Sequence, residues 1–488
     1  MQPNEELNFA RVALKGTAWI YAARYSGKLV VFLSTIILAR LLTKDDFGVV
    51  GYALVVTNFL DVIRDLGIGQ AVIYHEDDPR ASDTAFWLIL LFGITLFAIT
   101  WVAAPFVGAF FQDDRAINVT RALAITFPIT AVGKIHHALL RKRLDFDKTF
   151  IPSISRNIGK AALSVGFAFL GFGVWSLVIG NVGAVVIFVI VLWIVLPWRP
   201  RFQFDRKIAK ELFRYGIGIL SVNVLAYFLR DSDALFIGRF LGATALGVYS
   251  IAYRIPEMLI LEFSNVIHNV SFPAFVLMND PAALQRGFLK SSAYLSYVTF
   301  PVGVGLALVS RPFILTFFTE KWVEAIPVLQ AISIYALIFS LSYNAGSVYK
   351  AKGQPYTLTK LALLRIALLL PALYLAVTQI GTIASVGWAH AGVALVAGSL
   401  NLYVAARMID VSLFELLGSF RPALISSIIM ALAVMGMMYL GADAIPVVQL
   451  LISISIGGLV YLIALGFQEQ ELIFQTQNVI ANILRRGK

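Results

Sequence analysis

Charged side chains recur inside apolar runs of this chain, and their spacing limits what they can do. In YFLRDSDALFIGRF (227–240), Arg230, Asp231 and Asp233 cluster between Leu225 and Leu235. Upstream, Arg24 and Lys28 are four residues apart, which puts both cations on one face of a helix. Asp61, Arg64 and Asp65 share another helical face, and Arg254 and Glu257 are three apart, with Glu262 and His268 following. Guanidinium and ammonium groups bind phosphate, the guanidinium in bidentate fashion. The carboxylates can pair with those cations or hold a coupling cation, Na+ or H+. No other cofactor and no metal site is expected.

The surroundings decide how unusual these charges are. Of 488 residues, 59% are hydrophobic and 14% charged, and the mean hydropathy is +0.82. Soluble domains carry about 25% charged residues, so the composition is that of an integral membrane protein. The formal charge of +11 is assigned to cytoplasmic loops rich in Lys and Arg rather than to nucleic-acid binding. There is no Cys, which excludes disulfides and thiolate metal sites. The start, MQPNEELNFARVALKG, lacks the apolar core of a signal peptide.

Spans of about 20 apolar residues are expected at 17–42, 46–73, 83–110, 116–139, 150–171, 174–197, 211–238, 244–275, 288–310, 322–348, 357–378, 383–406, 420–440 and 445–466. With the N-terminus inside, 23 Lys and Arg fall in inside segments against 7 outside. The excess fits an even count with both termini cytoplasmic. The expected fold is an all-α membrane protein of fourteen transmembrane helices: two pseudo-symmetric six-helix bundles and a terminal pair. The N-lobe is 1–197, the cytoplasmic linker 198–210, the C-lobe 211–406, the terminal pair 407–466 and a cytoplasmic tail 467–488.

The two bundles rest on an internal repeat. IILARLLTKDDFGVVGYA (36–53) aligns with LFIGRFLGATALGVYSIA (235–252) at an offset of 199, matching Arg40 to Arg239, Gly48 to Gly247 and Ala53 to Ala252. Parallel repeats of this kind occur in transporters that work by alternating access. A P-loop is ruled out because Ala22 stands where Ser26-Gly27-Lys28 would need a glycine. No catalytic motif is present, so the chain is not expected to be an enzyme. Ionisable groups in spans usually face a protein interior or water, so the charged faces of the first two helices of each lobe are expected to line a hydrated cavity where the lobes meet. Mutual pairing that only holds helices together stays open as the alternative for Asp61–Arg64–Asp65 and Arg254–Glu257. His136 and His137 are expected near the inner surface beside lipid headgroups, and His390 in the core.

The runs DALFIGRFLGATALGVYSIAYRI (233–255), GFGVWSLVIG (171–180) and IILARLLTKDDFGVVGYALVV (36–56) resemble the Wzx-type, WzxC-like polysaccharide flippases of the multidrug/oligosaccharidyl-lipid/polysaccharide exporter superfamily. The resemblance implies a carrier of undecaprenyl-pyrophosphate-linked oligosaccharide from the inner to the outer leaflet of the bacterial cytoplasmic membrane, driven by an ion or the membrane potential. It implies a cationic substrate cavity, to which Arg24, Lys28, Arg64, Arg230 and Arg254 correspond. Asp61, Asp65, Asp231, Asp233, Glu257 and Glu262 are the ion-coupling or salt-bridge candidates. Membrane lipid, a polysaccharide polymerase and export machinery are the implied partners. A peptidoglycan lipid II flippase and a drug or cation antiporter of the same superfamily are the alternatives.

Overall fold

The computed structural model describes residues 26–64, 68, 79–143, 145–278 and 280–470, apart from the side chains at 79, 146–147 and 215–222. Among them there is helix and no strand. Eleven helices among the described residues are long and apolar enough to cross a membrane, which makes this a multi-pass membrane protein. Helices are the expected answer, because hydrocarbon offers no partner to a backbone N–H or C=O and each span must satisfy its own.

The chain divides into two compact units, Met1–Gly247 and Val248–Lys488. In the first, a helix over 26–41 (α1) leads to α2, Lys44–Arg64. A reciprocal cap starts α2: Asp46 N donates to Thr43 Oγ1 at 3.1 Å, and Thr43 N donates back to Asp46 Oδ2 at 2.9 Å. Then come α3, Pro79–Phe111, and α4, Arg115–Lys142. The hairpin of α5, Phe146–Phe169, and α6, Val174–Val195, turns at Gly171 and Gly173, both with positive φ.

Residues 197–205 are strapped to this unit. Arg201 N donates to the buried Asp83 Oδ1 at 3.0 Å, Trp87 Nε1 to Arg201 O at 2.8 Å, and Asp205 N to Thr84 Oγ1 at 3.1 Å. Helix α7, Arg206–Pro256, continues on the same surface, burying Ile208 and Leu212 with Ala85, Phe86 and Ile89. Tyr227 OH donates to Val55 O at 2.6 Å. These contacts tie the polar linker and the start of α7 to the first unit. At ~1.5 Å per residue the 51 residues of α7 exceed twice the hydrocarbon thickness of about 30 Å. The break is Gly242, at φ 86 and ψ −179, a conformation essentially confined to glycine. It falls between the seventh and eighth expected spans.

The internal repeat has a physical counterpart here. A Cβ on Gly48 would overlap the carbonyl of Ala243, and one on Gly247 would overlap the carbonyl of Lys44. Lys44 and Ala243 are themselves related by the 199-residue offset, so the contact is reciprocal: the two segments cross backbone to backbone at equivalent positions. Small residues permit such approaches in membranes. Beside the crossing, Arg115 grips Asp113 through Nε (3.0 Å) and Nη2 (2.7 Å), and its Nη1 meets Asp45.

In the second unit a π-helical turn, Glu257–Leu261, leads into α8, Glu262–Leu277. Asp280 caps α9, Pro281–Leu308, by accepting from Ala282 N and Ala283 N, both at 3.1 Å. Phe288, Val348, Tyr349, Ala405 and Phe420 form its main core. The last two described helices, α10 (Leu413–Leu440) and α11 (Pro446–Gln468), pack on α9, where Tyr461 OH donates to Tyr297 O at 2.7 Å.

Gly48→Ala and Gly247→Ala should each lower stability by about 1–3 kcal/mol through overpacking against backbone. Gly436→Ala, with nothing within 4 Å, should leave the melting temperature of the purified protein near that of the parent. The Arg115 bonds hold the Asp113 carboxyl below its ordinary value. A depressed folded-state value stabilises above the unfolded pKa, near 3.8, and the gain fades as pH falls through the lower folded value. The Arg115→Gln melting deficit, worth about 1 kcal/mol at neutral pH, should therefore shrink below pH ~4.

Candidate functional site

Four helices of the first unit line one cavity of about 330 Å³, two of them with polar rows. From α2 come Thr57, Asn58, Asp61 and Arg64, spaced for one helical face. From α4 come Thr126, Thr130, Lys134 and His137, again at steps of three and four. Helix α5 contributes Arg156, and α6 contributes Asn181 and Phe188.

Both guanidinium groups lie against aromatic rings. The Arg64 guanidinium lies 5.7 Å from the Phe127 ring centroid, and that of Arg156 lies 5.6 Å from Phe188. Such contacts strengthen where water is excluded. Arg64 Nη2 pairs with Asp61 Oδ1 at 3.0 Å; the Arg64 side chain is 9% exposed, that of Asp61 44%. Arg64 Nη1 is buried, and no protein group accepts from it among the described residues. The threonines spend their protons inside their own helices: Thr57 donates to Ala53 O at 2.8 Å, Thr126 to Leu123 O at 2.6 Å and Thr130 to Thr126 O at 2.7 Å. Each hydroxyl keeps acceptor lone pairs. The cavity therefore combines guanidinium and ammonium donors for an anion with oxygen acceptors for hydroxyl groups.

The sequence-derived residues fall into separate places. Asp61 and Arg64 line the cavity; Arg24 and Asp65 lie outside the described residues. Lys28 is on α1, which crosses α5 where a Cβ on Gly27 would overlap the Asn157 amide, next to Arg156. The opening trio is elsewhere on α7: Arg230 Nε donates to Asp231 Oδ2 at 2.7 Å with 61% of the Arg230 side chain exposed, while Asp233 is buried at 3%. In the second unit Glu257 acts electrostatically on Arg254, and Glu262 on Tyr343. His268 Nδ1 is 2.8 Å from Ser347 Oγ, and Tyr343 OH donates to Asn265 Oδ1 at 2.7 Å. His390 is buried at 2%, as expected. His136 is fully buried, with Nε2 3.1 Å from Trp198 O, and His137 lines the cavity. Both therefore sit inside the protein rather than among headgroups. Lys134, Arg156 and Asn181 complete the site. The Thr126–Thr130–Lys134–His137 row was the available signal for α4, whereas nothing in the sequence ties Arg156 to Arg64.

Comparison with known proteins identifies the family. Residues 37–327 match the model of the polysaccharide biosynthesis protein family. The chain belongs to that family. It is 28% identical over 471 residues to the teichuronic acid biosynthesis protein TuaB of Bacillus subtilis, covering 93% of this chain and 95% of the relative. It is 26% identical to the succinoglycan biosynthesis transport protein ExoT of Rhizobium meliloti, covering 95% and 94%. Against the lipopolysaccharide biosynthesis protein WzxC of Escherichia coli it is 25% identical, covering 71% of each. The resemblance to Wzx-type flippases read from the sequence holds. In fold it is similar to the lipid II flippase MurJ in an inward closed conformation, with a TM-score of 0.76, 15% identity and coverage of 93% and 99%. It is also similar to an inward-facing multidrug transporter of the MATE family, with a TM-score of 0.58, 17% identity and coverage of 79% and 94%.

The absence of native cysteine allows direct probing of the cavity. Asn58→Cys and Thr130→Cys should react with a small charged thiol reagent roughly tenfold faster than Leu192→Cys, whose parent residue is fully buried. Equal protection at all three positions would mean that the row is dry.

Proposed function

We propose that the chain is a lipid-linked oligosaccharide flippase with fourteen spans, carrying an undecaprenyl-pyrophosphate-linked glycan from the inner to the outer leaflet of the cytoplasmic membrane for export of a surface polysaccharide. Both termini lie on the cytoplasmic side, and a polymerase outside consumes the product. Membership of the polysaccharide biosynthesis family and relatives named for teichuronic acid, succinoglycan and lipopolysaccharide biosynthesis support the polymer pathway. The observation that carries the substrate assignment is the cavity: Arg64, Lys134 and Arg156 converge in a membrane-embedded unit where, among the described lining residues, Asp61 is the one carboxylate. Burying such charges is costly unless something needs them.

Size defines which part of the substrate enters. A volume of 330 Å³ equals about eleven waters at ~30 Å³ each, enough for a pyrophosphate and little more than one sugar. The charged end of the head group is received here while the isoprenoid tail stays in lipid and the remaining sugars pass outside the cavity. In this reading Arg24, Lys28 and Arg64 meet the pyrophosphate first, and Arg230 and Arg254 serve later positions in an alternating-access cycle. Asp231 and Asp233 are the candidates for a coupling Na+ or H+. The protein moves its substrate without changing a covalent bond.

The fold likeness to MurJ favours lipid II as the second substrate reading. The two separate in cells. In a strain lacking this protein, the parent restores polymer export, and Arg64→Gln and Arg156→Gln should each lower it roughly tenfold or more at equal protein level. Normal export from both variants would remove the cavity from the pathway. Rescue of a strain lacking its lipid II flippase, without restored polymer export, would select the alternative.

A further inference from the structure

Two members of the cavity differ in how far they are exposed. Arg64 is 9% exposed, lies on the Phe127 ring, and presents a buried Nη1 that no described protein group accepts from. Its partner Asp61 is one helical turn earlier on α2, 3.0 Å from Nη2, and 44% exposed. The Arg64 guanidinium is packed inside the protein, while the Asp61 side chain reaches partly into the open cavity. Among the described lining residues Arg64, Lys134 and Arg156 are cations and Asp61 is the one carboxylate, an excess of two positive charges. A pyrophosphate diester, with one negative charge per phosphate, balances that excess.

We propose that Asp61 is the release group of this anion site: its carboxylate competes with a phosphate of the ligand for the Arg64 guanidinium. The proposal rests on the reading that the cavity receives the pyrophosphate end of the substrate. A carrier gains nothing from binding its substrate more tightly than it can let go. Uncompensated guanidinium groups in a low-dielectric site would hold a diphosphate strongly. An internal carboxylate on the same helix supplies an anion at fixed high effective concentration. Displacing it weakens capture, and its return to Nη2 as the phosphate departs speeds loss of the ligand. Asp61 is thus a positioning residue: it sets the affinity of Arg64 and need not touch the sugar.

The test uses the full chain purified in detergent, with inorganic pyrophosphate as the calorimetric probe, alongside polymer export in cells. Asp61→Asn should bind pyrophosphate roughly three- to tenfold more tightly than the parent and export polymer more slowly at equal protein level. Asp61→Glu, which keeps a competing carboxylate, should stay near the parent in both. Arg64→Gln should weaken binding, and adding Asp61→Asn to it should bring no gain, because the group competed for is gone. Asp61→Ser serves as a second uncharged variant should Asp61→Asn fold poorly by its melting curve. If the uncharged variants bind no more tightly while Arg64→Gln weakens binding, the release role is overturned and the anion site stands. If the parent does not bind, or Arg64→Gln binds like the parent, the cavity is not a pyrophosphate site and both readings fall together.

Discussion

The structure depends on one constraint: an ionised group among spanning helices must be surrounded by protein or water, because hydrocarbon solvates neither charge nor unpaired backbone. Helices meet the backbone part by themselves. The side-chain part requires polar rows on several helices to point at the same place. In the first unit the rows of α2 and α4 do so, joined by Arg156 and Asn181 from the α5–α6 hairpin. Phe127 and Phe188 lie against the two guanidinium groups. They add attraction without adding a counter-charge, so the site keeps its positive excess.

The same constraint explains the glycines that matter. Without a hydrophobic force between helices in lipid, association comes from close packing. Gly48 and Gly247 let two segments related by the internal repeat touch through backbone carbonyls. Gly242 adopts a conformation that interrupts a helix otherwise too long for one crossing. Nearby, the charges of Asp45, Asp113 and Arg115 are concentrated in one short stretch at the ends of α2, α3 and α4, where ion pairing is cheaper than at membrane depth.

A carrier of a charged, hydroxyl-rich head group needs donors for phosphate, acceptors for hydroxyls and a way to weaken its own grip. The cavity has the first in its guanidinium and ammonium groups. Threonine hydroxyls whose protons are already used within their helices provide the second. The pairing of a buried Arg64 with a partly exposed Asp61 fits the third. Arg230, Asp231 and Asp233, a charge cluster set in an apolar run of the sequence, lie apart on α7, where Arg230 and Asp231 pair with each other.

By itself the sequence determined the membrane class, the position of most spans, the turn at Gly171–Gly173 and the faces of α2 that carry charge. These follow from local rules: apolar length, glycine in tight turns, and the helical period that assigns each side chain to a face. It also held the repeat that pairs Gly48 with Gly247. Only the tertiary structure decided which faces meet. It brought Arg156 to Arg64 and drew His136 and His137 inward. It fastened residues 197–205 to the first unit through Asp83, Thr84 and Trp87. The physical reason is that, in lipid, one apolar helix face is nearly equivalent to another. Helical period fixes where a side chain points along its own axis, but the neighbour it finds is chosen by shape and close packing across distant segments.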